Sequence, residues 1–373
     1  MVRAFLFIVH VFLIYCLISL SGNIPTDERR KIMILNRTEE RLSTRGVDNI
    51  EFGDLAERAG IHEGMWRDDI VSNIGNVNIR MTRDACLAFC DDSGRYHLAN
   101  VTQTAFEQYC NTIGVPASYA QKCYENGMAD LAVENFDRWS GRNAPAEMKV
   151  RSYGYEGDVH AIVSTRFTSL SNSRVFDLLE DSVDFSRYQV NQAFLSPEKM
   201  HLRFVDFTPL PGVRDRMFAG FTVSNNEIGR GALSVKFFLY RFACKNGLVK
   251  VEKGGTLFRQ KHIGLTFEDQ VEFQHSFQDI EALKENSVEQ ILAAQNRTLS
   301  YKEMEMYLER IRKECHLGKV LTVGEMPADE WIRNEFGPNL WGVVNFVTQK
   351  AQEFTLDERV DMETYAGRLL AAA

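Results

Sequence analysis

The 373-residue sequence has no CxxC pair among its seven cysteines, Cys16, Cys86, Cys90, Cys110, Cys123, Cys244 and Cys315. Cys86 and Cys90 stand close together, but no further ligands follow at short, regular spacing, which argues against a structural zinc site. The thiols read as plain buried or free cysteines of a reducing compartment. His62, His97, His160, His201, His262, His275 and His316 are dispersed, and none has a metal-ligand partner three or four residues away. No GxxxxGK[ST], no GxGxxG after a strand, no HExxH and no GxSxG occurs. These absences argue against a P-loop nucleotidase, a dinucleotide enzyme, a zincin and an α/β-hydrolase. No repeat or low-complexity tract is present, no cofactor or metal is expected, and a non-catalytic protein is the favoured reading.

A hydrophobic content of 45% is enough for one large or two ordinary domains that need no staples. The net charge of −8 argues against wholesale coating of a polyanion but leaves room for a local basic patch. Residues 4–20, AFLFIVHVFLIYCLISL, have the character of a signal or anchor segment. An internal Met33 offers another start, so residues 1–45 are set outside the fold and no stable membrane association is expected. The remainder divides into a mostly helical part (46–149), a β-rich basic core (150–265) and a helical, acidic part (266–373).

Local patterning supports that division. Phe89 to Leu98 reads as a hairpin around Asp91-Asp92-Ser93-Gly94. Ala105, Phe106, Tyr109 and Ile113 recur at helical spacing, and Gly114 and Pro116 stop the helix. A second helical stretch, Ser118 to Trp139, breaks near Asn126-Gly127. Strands are predicted near Val159–Val163, at Met200–Phe207, Met217–Ser224, Ala232–Ala243 and Leu248–Glu252. Asn246-Gly247 reads as a tight turn, and a short helix over Ser171–Leu179 has Asn172 or Ser173 as its N-cap. Helices follow over Asp279–Asn296, from the capping box Ser300-Tyr301-Lys302-Glu303 to Cys315, over Asn339–Phe354 and over Arg359–Leu370. Helices, then strands, then helices predict an α+β protein: a central antiparallel, curved sheet with a hairpin, flanked by helices.

Charge separates along the chain. Between Met200 and His262 eleven Lys or Arg face four acids, a local excess of seven positive charges. On the strand Ala232–Ala243 one face carries Ser234, Lys236, Phe238, Tyr240 and Phe242, and the other carries Leu233, Val235, Phe237, Leu239 and Arg241. Cations interleaved with rings can hold a single strand, with phosphates on Lys and Arg and bases stacked on aromatics at roughly 1–3 kcal/mol per base. The competing reading buries the rings under a helix and leaves the lysines as solvated edge guards. His262, beside Lys261, and Glu227, in the Gly/Asn-rich connection 225–231, are candidates for general-base or metal chemistry. A structural histidine and a turn-stabilising carboxylate are the competing roles.

The stretch VSNNEIGRGALSVKFFLYRFACKNGLV (Val223–Val249), with RQKHIG at Arg259–Gly264, resembles the phage- and plasmid-borne domain-of-unknown-function family 932. TAFEQYCNTIGVPASY (Thr104–Tyr119), AIVSTRFTSLSNSRVFDLL (within Arg151–Leu179) and NLWGVVNFVTQKAQEF (Asn339–Phe354) extend the resemblance over roughly Asn100 to Leu370. It implies a cytoplasmic protein of a mobile element, with no assigned activity, and a layout similar to that of phage single-strand annealing proteins. The resulting expectation is a single-stranded nucleic-acid-binding protein of replication or recombination. Arg203, Arg230, Lys236, Arg241, Lys245, Lys250, Arg259 and Lys261 would neutralise phosphates, Phe238 and Tyr240 would stack bases, and His262 would flank the site. The alternatives are a metal-dependent nucleic-acid enzyme centred on Glu227 and His262, or a structural or host-interaction protein; self-association stays open.

Overall fold

The computed structural model describes residues 47–48, 50–72, 79–213, 216–241, 246–249, 255–262, 266–315, 317 and 321–372. In chain order these form β1 (Val47–Asp48), α1 (Phe52–Glu63), β2 (Trp66–Ser72), β3 (Ile79–Met81), β4 (Leu87–Cys90) and β5 (Tyr96–Ala99). Helices α2 (Gln103–Ile113), α3 (Ala117–Glu125) and α4 (Ala129–Asn143) follow, then β6 (Glu147–Tyr153), β7 (Asp158–Val163) and α5 (Asn172–Ser182). The centre holds β8 (Tyr188–Leu195), β9 (Lys199–Asp206), β10 (Met217–Asn226), β11 (Leu233–Arg241), β12 (Asn246–Val249) and β13 (Thr256–Gln260). The C-terminal part holds α6 (Phe267–His275), α7 (Ile280–Asn296), α8 (Tyr301–Glu314), β14 (Thr322–Val323), β15 (Met326–Pro327), α9 (Ala328–Phe336), α10 (Leu340–Ala351) and α11 (Leu356–Ala371). The protein is α+β, as its pattern predicts.

Large apolar residues at every second position of β9, β10 and β11 set the main sheet. Its order is β1-β8-β9-β10-β11, with β12 and β13 both paired to β11, and every pairing is antiparallel. Phe204, Phe221 and Phe237 lie in register across three strands and are fully buried. This face joins α1, α5 and the C-terminal helices in one core. Gly220 lets the strands close up, because a Cβ there would stand 1.8 Å from the Phe204 carbonyl oxygen.

A second core belongs to the N-terminal part. The sheets β2-β6-β7 and β3-β4-β5 enclose it with α2, α3 and α4. Strand β6 straddles the boundary expected at 149/150: Met148 and Val150 pack into this N-terminal core, while β6 pairs with β7. Ser171, not Asn172 or Ser173, caps α5, its side chain accepting from the Arg174 N–H at 3.1 Å. Asn246 and Gly247 lie inside β12 and not in a turn, since they pair with Arg241 and Tyr240. Ser300 and Glu303 form the predicted capping box. Among the described residues no helix is long and apolar enough to cross a membrane, and Cys86, Cys90, Cys110, Cys123 and Cys315 are free thiols. Residues 4–20 and the alternative start Met33 lie outside the described residues.

Candidate functional site at the hairpin end of the sheet

The basic-and-aromatic face of β11 is not a water-facing surface. Phe238 and Tyr240 are buried, at 0% and 5% exposure, in a small cluster with Val205 and Phe218. Base stacking on them, expected from the alternation, is therefore withdrawn. Arg203 is 1% exposed: its guanidinium holds the fully buried Glu363 of α11 in a two-pronged ion pair of 2.5 and 3.2 Å. Arg359 adds a third hydrogen bond to Glu363, at 2.9 Å, and Asp357 pairs with Lys199. Helix α11 thus lies against this face, and Arg203 cannot serve a phosphate. Arg241 is also engaged, over the Phe336 ring at 4.7 Å and on Asn345. Lys236 is half-buried. Lys245 and Lys250 lie outside the described residues.

Other predicted residues do come together, at the end of the sheet where β10 turns into β11. Asn226 shapes that turn, its Oδ1 accepting from the N–H groups of Ile228 and Arg230 at 3.2 and 2.8 Å. Gly229 has φ +76 and sits so close to Val163 that a Cβ would meet its Cγ1 at 3.0 Å. Gln108 of α2 ties the turn to β7, donating to the Ile228 carbonyl and accepting from the Ile162 N–H. Asn225 and Glu227 reach back to the start of α5. Asn225 Nδ2 donates to the Leu170 carbonyl and to Asn172 Oδ1, both at 2.9 Å. Glu227 Oε1 accepts the Asn172 N–H at 2.7 Å, and Ser169 Oγ lies 3.5 Å from Oε2. The carboxylate therefore occupies the N-terminus of a helix, where orphan N–H groups and the dipole favour negative charge.

Arg151 completes this chamber from the other sheet. It leaves β6 on the side opposite Met148 and Val150 and is 2% exposed. The Trp66 and Phe167 rings lie 4.7 and 5.4 Å from its guanidinium carbon. Asp68 Oδ1 is 3.0 Å from its Nε, and Glu227 Oε2 is 3.8 Å from its Nη2. Lys149 donates to the Phe167 carbonyl at 2.7 Å and holds that ring in place. His262 packs against the same ring, with centroids 5.5 Å apart. Its carbonyl accepts the Thr168 N–H, and its Nδ1 accepts weakly from the Leu170 N–H at 3.4 Å.

Burial sets the electrostatics. Desolvation pushes the Glu227 carboxyl up to about 7, opposed by the Asn172 N–H and Arg151. Desolvation and then the Arg151 charge bring His262 down to about 4. His262 is thus neutral near pH 7, and an accepting Nδ1 assigns its proton to Nε2. That Nε2, Arg151 Nε and Nη1, and Asn225 Oδ1 are buried without a hydrogen-bond partner among the described residues. Leaving such a group unmet costs roughly 1–3 kcal/mol, so their gathering in one place calls for a functional account.

Cations surround the chamber. Arg166, Arg230, Arg259 and Lys261 are exposed. Arg230 is paired with Glu107, whereas Arg166, Arg259 and Lys261 enter no ion pair or hydrogen bond with other described residues. The Thr168–His262 hydrogen bond brings the Arg166 loop beside Lys261, and the Ser234–Arg259 register sets both next to the hairpin. Among the described residues no group of three or more His, Cys, Asp or Glu is placed to hold a metal ion.

The family whose description is domain of unknown function (DUF932) matches residues 159–367. The match covers more than half of the chain, and the chain belongs to that family. The matched residues include β9 to β13, the hairpin turn and the first three turns of α11; Arg151, Trp66 and Asp68 precede them. No curated protein and no solved structure matches the chain.

Proposed function

We propose that this chain binds single-stranded nucleic acid through its phosphate backbone, on the cations at the hairpin end. The observation that carries this reading is the convergence of Arg166, Arg230, Arg259 and Lys261 from the β7–α5 loop, the hairpin turn and the end of β13, three of them without an ion-pair or hydrogen-bond partner among the described residues. Exposed cations unengaged by protein carboxylates are free to release counterions when phosphates arrive. With Phe238 and Tyr240 buried, binding is by charge and not by base stacking, so it shows little sequence preference. A backbone binder of this kind fits the handling of exposed strands in replication or recombination of a phage or plasmid.

Fluorescence anisotropy with a labelled single-stranded oligonucleotide tests the reading. Four phosphate contacts give a log–log salt slope of about −3, at roughly −0.7 per contact. Replacing Arg166, Arg259 and Lys261 together by Glu is expected to abolish the signal. No signal on any oligonucleotide, or one indifferent to salt and to the triple variant, rejects the reading.

A further inference from the structure

We infer that the chamber around Arg151 is a binding site for a single small oxyanion of the phosphate type. The inference stands apart from the nucleic-acid reading, because none of the exposed rim cations contributes to it. It rests on four features of the geometry. The guanidinium is buried, yet Nη1 has no hydrogen-bond partner among the described residues. Its faces lie against the Trp66 and Phe167 rings, so its edge, where the N–H groups point, is the direction left for a ligand. His262, packed on the same Phe167 ring, supplies a second buried donor, Nε2–H. Neither carboxylate satisfies the fork: Asp68 Oδ1 comes to 3.0 Å from Nε without hydrogen-bond geometry, and Glu227 stands 3.8 Å from Nη2 and is already committed to the Asn172 N–H.

A buried guanidinium with free N–H groups is the standard protein counterpart of an anion that offers two oxygens side by side, as phosphate and sulfate do. Burial excludes a polymer from Arg151 itself and selects a compact ligand. Of the two carboxylates on the guanidinium, the Asp68 side chain is 32% exposed and that of Glu227 1%, so the Asp68 side is the nearer to solvent. Glu227 and the anion compete for Arg151. Protonation of Glu227 removes one competitor and leaves Asp68 as the remaining carboxylate on the guanidinium. The other titratable groups coupled to the Glu227 charge are Glu63 at the end of α1 and Tyr153 at the end of β6.

Isothermal titration of the full chain with inorganic phosphate at pH 6.5 is the first test. One site per chain is expected, weakened at least tenfold in Arg151→Met and unchanged in Lys261→Ala. Inorganic sulfate, whose charge is constant from pH 6 to 8, gives the second. With Glu227 titrating near 7, its affinity for the wild type should fall about tenfold over that range. Glu227→Gln keeps the acceptor for Asn172, removes the competing charge, and should flatten the profile. If Arg151→Met does not fold, the Glu227→Gln profile still decides the matter. Absence of binding to the wild type overturns the inference. So does binding that Lys261→Ala abolishes, which would place the anion on the rim. So does a sulfate profile identical in wild type and Glu227→Gln.

Discussion

Two buried arginines face two buried glutamates in this molecule, and they differ in completeness. Arg203 and Glu363 meet at 2.5 and 3.2 Å, with Arg359 adding a further bond, and Arg203 has no unpartnered nitrogen among the described residues. Arg151 and Glu227 stand at 3.8 Å; Asp68 lies 3.0 Å from Nε without closing a hydrogen bond, Nη1 is unpartnered among the described residues, and the neighbouring His262 and Asn225 each keep a free polar atom. The first pair seals a helix onto a sheet. The second holds charge ready at a junction between two cores. Depth is therefore a poor guide to role, and hydrogen-bond completion separates a clasp from a site.

The comparison breaks most directly at the clasp. Glu363→Ala leaves Arg203 buried without its counter-ion, which should cost about 3–5 kcal/mol in chemical denaturation. A loss below about 1 kcal/mol would mean that α11 does not cover this face as described. Phe238→Ala should cost a similar 3–5 kcal/mol through the cavity it leaves, while oligonucleotide affinity per folded molecule stays unchanged. Weakened oligonucleotide binding by folded Phe238→Ala protein would restore the sheet face as a contact surface.

The open pair should reveal itself through pH. The folded-state pKa of Glu227 is raised, so its contribution to stability is full below the unfolded value of 4.5 and is lost as pH rises through about 7. The shift corresponds to about 3 kcal/mol. Glu227→Gln cannot lose this contribution, so its stability relative to the wild type should rise by about 3 kcal/mol between pH 4.5 and 8. His262 and His62, both brought down to about 4 by burial, act in the opposite direction and are lost as pH falls below 6.5. They are common to both proteins and cancel in the difference. A pH-independent difference would show that burial does not raise the Glu227 pKa.

Much of the frame was legible because it is local. The alternation in β9, β10 and β11, the capping box at Ser300 and the stop at Gly114 each depend on residues within a few positions of one another. Strand β8 escaped notice because its register shifts between Val190 and Gln192, which breaks the two-residue period. Strand β2 escaped because Arg67, Asp68 and Asp69 mask its pattern. What covers the second face of β11 was not legible, since Glu363 lies 160 residues beyond Arg203 and alternation looks the same under water as under a helix. Glu227 and His262 were visible as candidates, one in a turn signature and one beside Lys261. Arg151, Asn172 and Asn225 were not, because their chemistry exists only once β6, the start of α5 and the hairpin meet.

The smallest expected effects lie at the rim, where they sharpen the contrast between stability and binding. Arg259→Ala with Lys261→Ala should change stability by no more than about 0.5 kcal/mol, since both side chains are exposed and touch no described partner. The same double variant should reduce the magnitude of the salt slope for a single-stranded oligonucleotide by about 1.4, two contacts at roughly 0.7 each. Arg230→Ala should have a lesser effect on that slope, because Arg230 must first leave Glu107 before it can meet a phosphate. An equal loss for Arg230 and for Lys261 would show that the Glu107 pair does not hold in solution. Unchanged slopes in all the rim variants would move any polyanion contact away from the hairpin end.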